Sequence, residues 1–139
     1  MYIDELYYNT KRGIRNLIRW FPVVWKDRNW DHSYIYDVLR FKLNNTEHCI
    51  RNGSHISAGK DADRIKICVN LLDRLRNDVY FDMIYGDWDG GGSLSDINNR
   101  TKEEREDFNR RYKHEDYMIK QDIDMLFDIM KKNIQKWWE

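Results

Sequence analysis

The chain has 139 residues, of which 41% are hydrophobic, 14% aromatic and 35% charged. That is enough apolar material for one modest core, which excludes wholesale disorder. Its 24 Lys and Arg balance 24 Asp and Glu, so the basic excess of a general polyanion binder is missing and a long nucleic acid is not expected as partner.

The N-terminus, "MYIDELYYNT", lacks the apolar centre of a signal peptide. No apolar run approaches the ~18 residues of a membrane span, so a soluble protein without membrane contact is expected. Residues 1–22 read as an N-terminal helical arm. Within it "KRGIRNLIRW" sets Lys11, Arg12, Arg15 and Arg19 on about two turns. Pro22, the only proline, interrupts or kinks what precedes it.

Next comes "WKDRNWD", residues 25–31, with two indoles, two cations and two carboxylates in seven positions. A plain turn asks only for Gly, Asn or Ser. From Asp31, a potential cap, Ile35, Val38, Leu39, Leu43, Thr46 and Ile50 recur at spacings of three and four, predicting a helix that "RNGS" ends near Gly53. Cys49 and Cys68 both fall in apolar helical patterns and read as reduced core thiols.

After the polar link "SHISAGK", a second helix is predicted over 61–85 on the stripe Ile65, Cys68, Val69, Leu72, Leu75, Val79 and Met83. A Gly-rich loop, 86–100, holds four of the seven glycines. It opens like a calcium loop, with Asp87, Asp89 and Gly92 in place, but Gly91 cannot ligate and Asn98 stands where a bidentate Glu belongs. A hinge or ligand lid is the preferred reading, with no metal and no cofactor. Thr101 with Glu104 forms a capping-box pattern that opens a third long helix. Its stripe runs Ile119, Ile123, Leu126, Phe127, Met130, Ile134, Trp137. No strand pattern competes. The expected fold is a single all-α domain, 1–139, an antiparallel bundle of three long helices with an N-terminal helical segment.

Chemistry is sparse by motif. No HExxH motif and no phosphate-cradling glycine loop after a strand is present, and none of the four histidines has an obvious nucleophile in sequence. A non-enzyme is expected. The long apolar stripes and the Trp137–Trp138 pair predict a homo-oligomer, Trp137 belonging to the core and Trp138 facing elsewhere.

"WKDRNWD" leaves two readings open. Trp25 and Trp30 plug the end of the bundle, with Lys26 and Arg28 paired to Asp27 and Asp31. Alternatively the stretch builds a site for a small nucleotide: indoles stack on bases, Arg and Lys hold phosphate, and carboxylates accept from the guanine edge. The candidate ligand residues are Arg12, Arg15, Arg19, Trp25, Lys26, Arg28, Trp30, Tyr34 and Arg40.

"WKDRNWDHSYIYDVLRFKL", "NLLDRLRNDVY" and "YMIKQDIDMLFDIMKKNIQKWWE" resemble a family of small helical proteins widespread in tailed phages, itself similar to phage anti-CBASS sponges. That resemblance implies an anti-defence protein in the cytoplasm of the infected bacterial host. It implies tight binding, without cleavage, of a cyclic dinucleotide or trinucleotide such as 3′3′-cyclic GMP–AMP. No ligand-contact motif is matched residue by residue, so the candidate residues rest on their chemistry. The alternative is a phage helical adaptor that binds a host protein.

Overall fold

The structure, a computed structural model, describes residues 2–54, 56–86 and 100–138, and side chains within 4–54, 56–86 and 100–137. The predicted Gly-rich loop, including its calcium-like stretch 87–98, lies outside the described residues apart from its ends, as does the side chain of Trp138.

The fold is all-α. Its helices are α1 (Tyr2–Val24), α2 (Ser33–Arg51), α3 (Ala58–Arg76), α4 (Val79–Tyr85) and α5 (Lys102–Asn133), followed by a 3-10 turn, Lys136–Trp138. No strand occurs among the described residues.

α2 and α3 form an antiparallel hairpin. Three ion pairs fix its direction, because α2 numbers rise as α3 numbers fall: Asp37 with Arg76, Arg40 with Asp73, and Arg51 with Asp63. Between them Leu43, Thr46 and Ile50 from α2 are buried with Ala62, Ile65, Cys68, Val69 and Leu72 from α3. α5 closes this core with Leu126, and the chain returns to add Trp137, only 1% exposed. The expectation that Trp137 is core therefore holds, and no partner can use it.

Several features differ from expectation. α1 runs through Pro22 to Val24. Pro22 sits in the last turn, where its missing N–H costs only the bond to the Ile18 carbonyl, and Trp25 N–H closes the helix on Phe21 O at 2.9 Å. The predicted helix over 61–85 is two helices. Asn77 ends α3, and Asp78 takes a left-handed backbone (φ 51°) that turns the chain into α4. Short polar side chains tolerate that conformation, which explains why the break falls at Asn-Asp. Cys49 is exposed rather than core. Lying between Thr46 and Ile50, it sits off the stripe that those two share with Leu43.

α5 begins as the sequence predicts: Thr101 Oγ1 accepts from Glu104 N–H (3.3 Å), and the Glu104 carboxylate accepts from Thr101 N–H (2.7 Å). Hydrogen bonding from the Thr101 backbone N–H, then from its side chain, holds the Glu104 carboxyl below its usual range. Further along, Asp122 is buried and gathers the Tyr80 hydroxyl and the Arg74 guanidinium (3.0 Å), tying α3, α4 and α5 together. Burial, then the hydrogen bond to Asp122, pushes the Tyr80 phenol well up.

Candidate functional site

The stripe of α2 has two fates. Its C-terminal half is buried, whereas Ile35 is 67% exposed and Val38 is exposed as well. These two line a cleft of about 760 Å³ with Leu39 of α2 and Phe127 of α5. The other wall is the α1–α2 connection, Asp27 to His32, with Trp20 from α1 and Tyr34 and Lys42 from α2.

The connection is a chain of tight turns. Asp27 N–H bonds Val24 O (3.2 Å), Asp31 N–H bonds Arg28 O (3.0 Å), and Tyr34 N–H bonds Asp31 O (3.2 Å). Asp31 also accepts from Ser33 N–H at 2.9 Å. Bonds from the Ser33 backbone and then its hydroxyl hold the Asp31 carboxyl below its usual range, so it is charged at neutral pH. Asp31 thus anchors the entry to α2 but stands two residues ahead of the helix. At the far side, Trp20 packs edge-on against Phe41 (4.7 Å), which fixes the end of α1 on α2.

Within this frame Trp30 is 83% exposed, so it is not a plug of the bundle end. Trp25 is exposed too, packs at a tilt against Phe21 (ring centroids 5.0 Å apart) and does not line the cleft. Arg28 makes no ion pair with Asp27 or Asp31. Its Nη1 donates to the backbone oxygen of Asp27 at 3.0 Å, which leaves most of the fork open. The arrangement offers aromatic faces, one open guanidinium and two carboxylates around an apolar floor.

Of the nine candidate ligand residues, the structure brings three into the cleft: Arg28, Trp30 and Tyr34. Lys26 lies in the same connection but outside the lining. Arg40 is engaged with Asp73 across the α2–α3 hairpin. Arg12, Arg15 and Arg19 are exposed on α1 away from the cleft, Arg12 bonding Asn9 at 3.0 Å. Trp20 and Phe127 were not among the candidates. Phe127 comes from α5, and no local pattern announces that approach. The spacing of Ile35 and Val38 continues the stripe and predicts a core position, whereas both are exposed.

A second cleft of about 630 Å³ lies between α4 and α5, with Arg110, Arg111 and His114 on one side. Its cations are already committed. Arg111 binds Asp107 (2.8 Å) and Ile84 O (2.6 Å), and Arg110 pairs with Asp107. The bond from Arg111, then that from Arg110, lowers the Asp107 pKa. Among the described residues no group of three or more His, Cys, Asp or Glu could hold a metal ion, and no helix is long and apolar enough to cross a membrane.

The chain matches no family model, no curated protein and no solved structure.

Proposed function

We propose that the protein is a phage anti-defence factor that binds and sequesters a cyclic oligonucleotide immune signal, such as 3′3′-cyclic GMP–AMP, without cleaving it. The observation that carries this reading is the open guanidinium of Arg28 beside the exposed indole of Trp30 in one cleft with Tyr34 and Lys42. In the proposed complex Arg28 faces a phosphate. Trp30 or Tyr34 stacks on a base, and Asp27 or Asp31 accepts from the guanine edge. The apolar floor of Val38, Leu39 and Phe127 takes the second ring system. The resemblance to small tailed-phage proteins supplies the biological setting.

Calorimetric titration with a panel of cyclic di- and trinucleotides, linear dinucleotides and ATP tests the proposal. Saturable binding confined to cyclic species is expected. No heat with any of them overturns it. The alternative, an adaptor for a host protein, is favoured by one observation, the exposed apolar face of α1. An adaptor leaves the calorimeter silent.

A further inference from the structure

α1 is an amphipathic helix whose apolar face is largely exposed among the described residues. Its last turns touch the body through Trp20 on Phe41. Leu6, Tyr7, Ile14, Leu17, Ile18 and Phe21 are each more than half exposed. A standard protein interface removes about 800 Å² from each partner, and six large apolar side chains reach that order. Monomers rarely expose a contiguous apolar patch of more than a few hundred Å².

The shape of this face identifies its occupant. Two shallow hollows lie along it, one between Tyr7, Thr10, Lys11 and Ile14, the other at Leu17, Ile18 and Phe21. The first set is spaced i, i+3, i+4, i+7. The second, taken with Ile14, repeats that spacing one heptad on. Four residues in this diamond are the hole that receives one knob in a coiled coil. The seam Tyr7, Thr10, Ile14, Leu17, Phe21, Val24 alternates steps of three and four, the heptad rhythm that keeps a face turned to a neighbouring helix. A lipid surface needs no holes in register; a helix with the same repeat does. α1 itself carries that repeat, so the face is self-complementary, as a two-fold interface requires.

Charge allows the pairing. Arg12, Arg15 and Arg19 fall on the opposite flank at 3.6 residues per turn and stay in water. Lys11 lies at the rim with its ammonium over the Tyr7 ring (5.8 Å), in the manner of a flanking residue whose stem covers an apolar seam.

We infer that α1 pairs with α1 of a second copy through the Tyr7–Val24 seam, and that this helix pair is the dimer interface of the protein. The inference is independent of the ligand. Light scattering and sedimentation of the full chain test it. Wild type is expected at twice the 17.2 kDa chain mass. The double variant Ile14→Glu, Leu17→Glu is expected at the chain mass with unchanged far-ultraviolet circular dichroism outside α1 and an unchanged core melting transition, because both side chains are exposed in the single chain. An Arg12→Glu variant, altered on the opposite flank, is expected to remain dimeric. A monomeric wild type at tens of micromolar overturns the inference. So does a double variant that keeps the wild-type mass, or a monomer that co-sediments with phosphatidylglycerol vesicles through the same two residues.

Discussion

Arg28 and Trp30 are exposed and carry little of the fold, so their removal separates binding from stability. Arg28→Ala is expected to weaken a cyclic dinucleotide roughly 10- to 150-fold, the value of a charge-assisted hydrogen bond. Trp30→Ala is expected to cost roughly 5- to 150-fold through a lost stacking partner. Both should melt within a degree or two of wild type. Trp25→Ala is expected to bind normally, since Trp25 rests on Phe21 outside the cleft. Calorimetry with melting curves for the three variants checks this. A loss of affinity for Trp25→Ala with none for Trp30→Ala reverses the assignment.

The two cysteines provide an independent check at the same scale. Cys49 is exposed, whereas Cys68 is fully buried and its thiol is pushed up to about 11 by burial. A thiol reagent should therefore modify one sulfur per native chain and two in denaturant. The raised folded pKa favours the neutral thiol in the native state. The Cys68 contribution to stability is complete below the unfolded value near 9.0 and declines as pH rises toward about 11. Cys68→Ala should flatten that alkaline decline, though it lowers stability overall. Two fast-reacting thiols in the native protein would contradict the packing of α3.

At the scale of elements, local chemistry decided which boundaries were legible. The Thr101–Glu104 box was readable because both partners are close in sequence and each satisfies an orphan N–H. The break at Asp78 was hidden because Leu75 and Val79 continue the helical spacing across it. A turn that preserves the apolar phase leaves only Asn77-Asp78 as its trace. These two sites give opposite predictions. Asp78→Gly should raise stability by up to ~1 kcal/mol, since glycine adopts a positive φ without the Cβ penalty. Thr101→Ala should lower it by ~0.5–2 kcal/mol through loss of the cap. Denaturant melts of both variants check the pair. A destabilised Asp78→Gly would mean that the aspartate side chain contributes more than its backbone costs.

The whole molecule divides into a body and an arm. The core of α2, α3 and α5 follows from apolar spacing, and Leu43, Thr46, Ile50, Ile65, Cys68, Val69, Leu72, Leu126 and Trp137 were all legible in sequence. What spacing cannot reveal is where burial stops. Ile35, Val38 and Phe127 have core-like positions on their helices but face the cleft, because among the described residues no further element covers them. The local density of "WKDRNWD" pointed to that neighbourhood, and Arg28 and Trp30 lie in it. Arg12, Arg15, Arg19 and Arg40 do not, since charge in sequence says nothing of which side of a helix faces a cleft. On this account the body and the end of the arm frame the proposed ligand cleft, and the apolar seam of the arm supplies the proposed contact between copies.

The central claim is binding without chemistry, and one measurement addresses it most directly. The protein is saturated with 3′3′-cyclic GMP–AMP, freed of unbound nucleotide by gel filtration, incubated for hours, then heat-denatured, and the supernatant is resolved by chromatography with mass detection. The account predicts near-stoichiometric recovery of the intact cyclic dinucleotide, reduced strongly for Arg28→Ala. Recovery of a linear dinucleotide would make the protein an enzyme, and recovery of no nucleotide would contradict sequestration of this ligand.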